Sequence, residues 1–209
     1  MNTTFAHRRR ALQARIAARG LSSILSTNPA DWYYLTGFTG EAGALIVSQT
    51  RSVLVTDGRF TVQAKEETSR VRVVKQQGSL MATVGKLLHS RTRGKIGFDA
   101  AQITVEQFRT LRRSAGPRVR WAAAEGEIGS LRQRKEPGEI AQMRDAALLA
   151  GDVLSAALKL LKPGVRELEI AAEIEYDMRS RGASGPAFET IVAFGARSAH
   201  PHARPTEKR

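Results

Sequence analysis

Short apolar segments alternate with amphipathic segments along the first part of the chain. The apolar segments have the length and β-branched content of strands. The six predicted strands are residues 21–26, 44–48, 52–56, 71–74, 95–98 and 119–122. The segments between them predict helices over residues 4–18, 29–36, 60–67, 80–89 and 105–113. This alternation predicts an α/β domain with a mixed or parallel sheet and helices on its faces.

Two of these helices carry local end signals. Asn28 precedes Pro29 as a cap residue precedes a first helical residue, and Gly37 follows as a C-terminal stop. Thr104 and Gln107 have the spacing of a capping box. The sequence therefore predicts where both helices begin.

The pattern changes after Gly129. Residues 131–139 are polar and contain Pro-Gly, which predicts a linker. Apolar residues then recur every three or four positions and predict a helix over 139–161, followed by a helix over 166–181 and a strand over 188–194. The apolar stripe of the first helix consists of Ile140, Met143, Ala147, Ala150, Val153, Ala157 and Leu161. Because one strand cannot cover two long helices, residues 130–209 are predicted to be the incomplete start of a second domain, after a first domain of residues 1–129.

Composition is that of a folded protein, with 42% hydrophobic and 25% charged residues among 209. The absence of cysteine excludes disulfides, thiolate zinc sites and a cysteine nucleophile, and it favours a cytoplasmic location. The N-terminal residues lack the apolar stretch of a signal peptide, and no later window is apolar enough to span a membrane. We therefore expect neither export nor a membrane partner.

The net charge of +13 raises the question of a nucleic-acid partner. Apart from Arg8, Arg9 and Arg10, however, the basic residues are scattered and are not interleaved with aromatic residues. Nucleic-acid-binding proteins concentrate basic charge on one face or element. The sequence therefore predicts no nucleic-acid partner.

The candidate chemistry is confined to His200 and His202. Two histidines at this spacing share a face if the backbone is extended, and could then bind a metal or transfer protons. The alternative is a solvated loop with two incidental histidines. The sequence contains no His-Glu-x-x-His, phosphate-binding glycine loop or Gly-x-Ser-x-Gly motif. The glutamates of the second predicted helix are expected to be solvated. They are Glu167, Glu169, Glu173 and Glu175.

Further short motifs follow one another along the whole chain. In the first part they are Asn28 with Tyr34–Gly40, Thr56–Phe60 with Gln63 and Ala64, and Ile96–Asp99. In the second part they are Leu131, Arg132, Lys135, Glu139, Ile140, Lys162–Val165 with Glu167, Phe188–Val192, Gly195 and Ser198–His202. In order and spacing these motifs resemble the Xaa-Pro aminopeptidase, prolidase and creatinase family of metallopeptidases. The resemblance implies a creatinase-like N-terminal α/β domain over residues 1–129 and the incomplete start of an α+β pita-bread domain over residues 130–209.

The resemblance also implies an activity and a site. Members of the family hydrolyse the bond before proline at the N-terminus of peptides with two divalent metal ions, manganese, cobalt or zinc, and we expect proline-containing peptides as substrates and a homodimer. His202 matches the family histidine that lies beside the metal centre and contacts the substrate or the reacting amide, so His202 is the predicted catalytic residue. His200 lies where the family varies and receives no role. Ala203 is a small departure from the family pattern.

A larger departure concerns the metals. In the family the ligands are two aspartates, a histidine and two glutamates, all downstream of the residue that His202 matches, and the 209 residues end before the first of them. No metal-binding or cofactor-binding residue is therefore predicted. The expectation is a peptidase fragment that is inactive alone. The alternative is a non-catalytic protein whose N-terminal domain serves in dimerisation or partner binding.

Overall fold

A mixed sheet lies at the centre of unit 1, Met1–Arg134, in the computed structural model, which describes residues 3–89 and 94–209. The described residues of this unit form six strands, β1 (Leu21–Ser26), β2 (Ala44–Ser48), β3 (Ser52–Thr56), β4 (Arg72–Lys75), β5 (Lys95–Phe98) and β6 (Arg120–Ala123). Their order across the sheet is β4-β3-β2-β1-β5-β6. Strand β2 is antiparallel to β1 and β3, whereas β3/β4, β1/β5 and β5/β6 are parallel pairs. The predicted α/β fold is confirmed, and the sheet is mixed.

Helices cover both faces of this sheet. They are α1 (Thr3–Ala18), α2 (Pro29–Thr36), α3 (Thr61–Glu67), α4 (Leu80–His89), α5 (Val105–Ala115) and α6 (Glu127–Gln133). One core cluster joins the sheet to α1, α2, α3 and α6, and includes Leu12, Ile16, Ile24, Trp32, Leu35, Val47, Leu54, Ala64 and Ile128. The other cluster joins the opposite face to α4 and α5, and includes Leu25, Ile46, Val53, Met81, Val84, Leu88 and Leu111. Burial of these apolar side chains is the main force that stabilises the unit.

The predicted ends of α2 and α5 are confirmed. The Asn28 side chain accepts a hydrogen bond from the Ala30 N–H at 3.0 Å, and the Gly37 N–H donates to the Tyr33 carbonyl at 2.8 Å. Gly37 has a φ of 83°, in the left-handed region that glycine adopts without strain. At α5, Thr104 and Gln107 form the reciprocal capping box. Local sequence signals are sufficient to position both helices.

Helix α6 was not predicted, and it occupies the start of the expected linker over residues 131–139. It also spans the expected domain boundary between residues 129 and 130. In the structure, the chain passes from the first compact unit to the second between Arg134 and Lys135. The helix forms because Ile128 is buried in the core and Leu131 packs against it. The interpretation of the whole segment as a linker is therefore wrong, since tertiary packing outweighs its polar composition.

Polar contacts also hold α6 against α2 within unit 1. The Tyr34 hydroxyl donates to the Leu131 carbonyl at 3.3 Å, and Arg132 Nη1 lies 3.1 Å from Asp31 Oδ1. The Ser26 hydroxyl donates to the other oxygen of Asp31 at 2.8 Å. Burial raises the pKa of Asp31, and the contacts with Ser26 and Arg132 only partly oppose this rise. Arg132 thus partly compensates the charge of a carboxylate that is buried in the first turn of α2.

Unit 2, Lys135–Arg209, contains α7 (Pro137–Leu158), α8 (Glu167–Ser180) and the short 3₁₀ helix η1 (Gly195–Ala199). Helices α7 and α8 lie against each other, and their buried apolar side chains are Val153, Ala157, Ile170 and Ala171. Much of the predicted stripe of α7 is exposed, including Ile140 and Met143. Within residues 3–89 and 94–209, no helix has both the length and the apolarity needed to cross a membrane.

Residues 188–194 do not form the predicted strand. A strand requires a neighbouring strand to receive its backbone hydrogen bonds, and the described part of unit 2 contains no strand that could pair with it. Side chains of α8 bind this segment instead: the Thr190 hydroxyl donates to Glu175 Oε1 at 2.7 Å. The apolar pattern therefore did not predict the conformation of this segment, whose large apolar side chains Phe188 and Ile191 are exposed.

Candidate functional site

The predicted catalytic residue, His202, lies in a turn directly after η1. The Ala203 N–H donates to the His200 carbonyl at 3.3 Å and closes this turn around Pro201. Both imidazoles are exposed, whereas Ala203 is buried. Because the backbone turns here and is not extended, the expectation that His200 and His202 share one face does not apply.

The segment that carries His202 is held by the side chain of Glu167, at the start of α8. Glu167 Oε1 accepts a hydrogen bond from the Phe194 N–H at 2.8 Å. Its Oε2 accepts two, from the Thr206 N–H at 2.9 Å and from the Thr206 hydroxyl at 2.7 Å. One carboxylate thus binds both ends of residues 194–206, which we call the histidine segment.

Arg197 strengthens this attachment from inside the histidine segment. Its Nε donates to Glu167 Oε1 at 3.3 Å, and its Nη2 donates to the Arg204 carbonyl at 2.7 Å. The guanidinium therefore links the carboxylate to the backbone on the far side of the turn. Both contacts restrict the position of the turn that contains His202.

Backbone contacts complete the attachment at the N-terminus of α8. The Glu167 N–H donates to the Lys208 carbonyl at 2.9 Å, and the Leu168 N–H donates to the Thr206 carbonyl at 3.2 Å. The first N–H groups of a helix have no partner within the helix and must be satisfied by other groups. Residues 206–208 supply these partners, so α8 and the end of the histidine segment stabilise each other.

Glu167 is ionised in this environment although it is fully buried. Burial favours the neutral carboxylic acid and acts to raise the pKa. The hydrogen bonds from Thr206 and from the Phe194 amide, with the positive charge of Arg197, outweigh burial and lower the pKa of Glu167 to about 2. The carboxylate is therefore an anionic acceptor that binds the donors around it strongly.

The expectation that the glutamates of α8 are all solvated is wrong for Glu167. Its neighbours Glu169 and Glu173 are exposed, as expected, and Glu175 is partly buried against Thr190. Helical periodicity could not identify Glu167, because its partners lie 27 and 39 residues downstream. The available signal was its place among the family motifs, where it follows Lys162–Val165.

The remaining carboxylates near the two histidines in sequence are paired with arginines. Glu189 Oε2 lies 3.2 Å from Arg204 Nη2, and Glu207 Oε2 lies 2.7 Å from Arg166 Nη1. In the part of the chain that the structure describes, no three His, Cys, Asp or Glu side chains are grouped so that they could hold a metal ion. A pair of divalent ions requires several oxygen donors, including bridging carboxylates. The described residues do not fit a two-metal centre.

Comparison with known families assigns both units. Residues 8–134 match the creatinase/prolidase N-terminal domain, and residues 141–209 match metallopeptidase family M24. The chain belongs to the creatinase and prolidase family of metallopeptidases. The first part of the chain is thus a creatinase-like α/β domain, and the second is part of a pita-bread domain. Both features of the predicted fold class are confirmed.

Three relatives that match nearly the whole chain are longer than it is. An uncharacterized peptidase of Bacillus subtilis is 32% identical over 189 residues, which cover 90% of this chain and 53% of that protein. The Xaa-Pro dipeptidase from Bacillus anthracis superposes with a TM-score of 0.88 at 29% identity, covering 98% of this chain and 57% of its own. The X-Pro aminopeptidase from Thermotoga maritima superposes with a TM-score of 0.85 at 30% identity. The match covers 96% of this chain and 56% of that protein. The chain therefore spans about half the length of the curated relatives it matches.

Membership of metallopeptidase family M24 implies divalent metal ions. The chain contributes to that family's architecture a complete helix-covered sheet in unit 1 and an anchored histidine segment in unit 2. It contributes no ligand set among its described residues. The exposed imidazole of His202 is able to donate or accept a hydrogen bond.

Proposed function

We propose that the chain is the N-terminal part of a peptidase that hydrolyses the bond before proline at the N-terminus of peptides. The observation that carries this proposal is the attachment of both ends of the histidine segment to the buried carboxylate of Glu167. An imidazole that acts on a substrate must be held in position before the substrate arrives. The similarity to an Xaa-Pro dipeptidase and to an X-Pro aminopeptidase supports proline-containing peptides as substrates.

In this proposal His202 is the residue of the chain that contacts the substrate. Its side chain is exposed on a turn whose two ends are fixed, so it can reach a bound peptide without a rearrangement of α8. Imidazole can donate a hydrogen bond and transfer a proton near neutral pH. We therefore assign to His202 a hydrogen bond to the reacting amide, and to Glu167 the positioning of the segment that presents it.

The chain alone is proposed to be inactive. The proposed metals are two divalent ions, manganese, cobalt or zinc, and their ligands are proposed to lie outside the 209 residues. Glu189 and Glu207 are exposed and pair with arginines, and two carboxylates are too few for a pair of divalent ions. A homodimer and a cytoplasmic location complete the proposal as predictions from the sequence.

The proposal is tested by joining the chain to a downstream segment that supplies the proposed metal ligands. Residues 1–209 are expressed alone and as a chimera with the downstream part of the Bacillus anthracis Xaa-Pro dipeptidase, and both are assayed on Xaa-Pro peptides with added manganese. We expect no metal-dependent hydrolysis by the chain alone, metal content below one ion per chain after dialysis, and activity in the chimera. A chimera that folds and binds two metals but hydrolyses no Xaa-Pro peptide would contradict the proposal, as would activity of the chain alone.

A further inference from the structure

A cavity lies within unit 1, on the face of the sheet that α4 covers. Its volume is about 350 Å³, and it is found where β1, β3 and β4 begin and β2 ends. Strand register places its wall residues side by side: Ser23 pairs with Ser48, and Val53 pairs with both Ile46 and Arg72. We call this cavity the Ser23 pocket. Pockets of this size accommodate small organic ligands.

The hydroxyl of Ser23 is the first sign of a ligand. The residue is only 3% exposed, and its Oγ makes no hydrogen bond with any residue of the described ranges 3–89 and 94–209. The other two serines of the pocket wall are occupied, because Ser22 Oγ donates to the Lys95 carbonyl and Ser48 Oγ donates to the Arg51 carbonyl. Buried polar groups in proteins are nearly always hydrogen-bonded. Ser23 therefore holds an unused hydroxyl in the pocket wall; its Oγ is covered and must turn about the Cα–Cβ bond to bind a ligand.

Charge identifies the other polar feature of the pocket. Arg51 and Arg72 both line it and are exposed, and neither guanidinium forms an ion pair or hydrogen bond with the residues that the structure describes. No aspartate or glutamate is among the described lining residues. Helix α4 ends nearby at His89, and the partial negative charge of a helix C-terminus, about half an elementary charge, is smaller than the two positive charges. The polar part of the pocket therefore favours an anion.

The rest of the wall is apolar. Ile46 and Val53 of the sheet and Leu88 of α4 belong to the core cluster on this face, and they line the pocket beside Ser23. An inorganic anion alone would leave this apolar surface uncovered. A ligand that fills the pocket must combine an anionic group with an apolar chain or ring.

We propose that the Ser23 pocket binds a small amphiphilic anion, a carboxylate or phosphate monoester with an apolar body. The anionic group lies between Arg51 and Arg72 and accepts a hydrogen bond from Ser23, while the apolar body packs on Ile46, Val53 and Leu88. Guanidinium groups suit both anions, because they donate paired hydrogen bonds to carboxylate and to phosphate oxygens. The site lies entirely within unit 1 and does not depend on peptidase activity.

The test is a titration of the ¹⁵N-labelled 209-residue chain, followed by NMR, with hexanoate and with hexyl phosphate. We expect at least one of them to shift the amides of Ser23, Arg51 and Arg72 with a dissociation constant of about 1 mM or below. The two titrations distinguish a carboxylate from a phosphate ligand. Hexanol has the same apolar body without the charge, and we expect it to bind at least about tenfold more weakly. Absence of shifts with both anions at about 10 mM, or equal binding of hexanol, would overturn the proposal.

Variants locate the site. Ser23→Ala and the double variant Arg51→Gln/Arg72→Gln should each weaken binding by about tenfold or more, as expected for loss of hydrogen bonds to a charged group. Arg118→Gln changes an exposed arginine outside the pocket and should leave affinity unchanged. Ser23→Ala removes a hydroxyl without a partner in the described residues, so its thermal unfolding should match that of the unmodified chain. If the double arginine variant binds as tightly as the unmodified chain, the proposed site is wrong.

Discussion

Glu167 and Thr206 are 39 residues apart in sequence and are joined by two hydrogen bonds to a single carboxylate oxygen, at 2.9 Å from the Thr206 amide and 2.7 Å from its hydroxyl. The other oxygen of Glu167 binds the Phe194 amide. The position of His202 between these two attachments therefore depends on one buried side chain of α8. This dependence makes Glu167 a positioning residue whose removal can be measured even in the absence of catalysis.

Replacement of Glu167 by glutamine should loosen the histidine segment. Glutamine keeps the shape of the side chain, but its amide NH₂ replaces one acceptor and faces N–H or O–H donors, which leaves buried donors unpaired. We expect cleavage by trypsin after Arg197 to be about tenfold faster in Glu167→Gln, since proteolysis reports the population of opened states. Cleavage sites and rates are read by mass spectrometry.

Glu173→Gln is the matched control for this experiment. Glu173 lies on the same helix, is exposed, and has no hydrogen bond or ion pair with the described residues. Its replacement should leave the rate of cleavage after Arg197 unchanged. Equal rates in Glu167→Gln and the unmodified chain would show that the carboxylate does not hold the segment.

Protonation of Glu167 in acid should weaken the attachment of the histidine segment to α8. The pKa of Glu167 is lowered from 4.5 to about 2 in the folded chain, so the folded state binds its proton less readily than the unfolded state. Its contribution to stability is therefore fully present above about pH 4.5 and is lost progressively as the pH falls towards 2. We expect hydrogen-exchange protection of residues 194–208, corrected for the intrinsic rate, to be constant from pH 7 to 5 and to decline below. Protection lost already between pH 7 and 6, or a decline that persists in Glu167→Gln, would contradict this assignment.

Local signals in the sequence were sufficient to predict most helices and strands of unit 1. The strand over residues 95–98 and the helix over residues 80–89 were predicted with the bounds that the structure has. The capping box of Thr104 was recognisable because all its atoms lie within four residues. Such elements are determined by side chains close in sequence, which is why a single sequence reveals them.

Elements that depend on distant partners were not predictable in the same way. Helix α6 is stabilised by contacts of Leu131 and Arg132 with α2, about 100 residues earlier in the chain. The anchoring role of Glu167 depends on Phe194 and Thr206, and nothing near Glu167 in sequence indicates that it is buried. The family motifs contain both His202, the predicted catalytic residue, and Glu167, but only the three-dimensional contacts show that Glu167 holds the segment of His202.

The end of the N-terminal folding unit can be located by truncation. A fragment of residues 1–134 contains all of α6, whereas a fragment of residues 1–129 cuts the helix and removes Leu131 and Arg132. Loss of the partly buried Leu131 and of the hydrogen bond from Tyr34 should cost about 2 kcal/mol. The same truncation leaves the buried Asp31 without its arginine. We expect both fragments to unfold cooperatively, with the melting temperature of 1–129 lower by about 5–10 °C.

Circular dichroism and calorimetry of the two fragments measure this difference. The control is the 1–134 fragment with Leu131→Ala, which keeps α6 and Arg132 but removes the apolar contact. Its melting temperature should lie between those of the two fragments. Identical melting temperatures for 1–129 and 1–134 would show that α6 adds nothing to the stability of unit 1, and an uncooperative transition of 1–134 would show that the unit does not fold alone.

His202 can be tested in the chimera of residues 1–209 with the downstream part of the Bacillus anthracis Xaa-Pro dipeptidase. A positioned group that acts on the reacting amide contributes mainly to the transition state, so His202→Ala should lower kcat by about 10² or more with a smaller change in KM. Metal content should stay unchanged, because the imidazole is proposed to contact substrate. His200→Ala is the matched control: His200 is exposed on the same turn, and its replacement should change kcat by less than about threefold. Loss of metal in His202→Ala would make the residue a ligand, and equal kcat values for the two variants would remove its catalytic assignment.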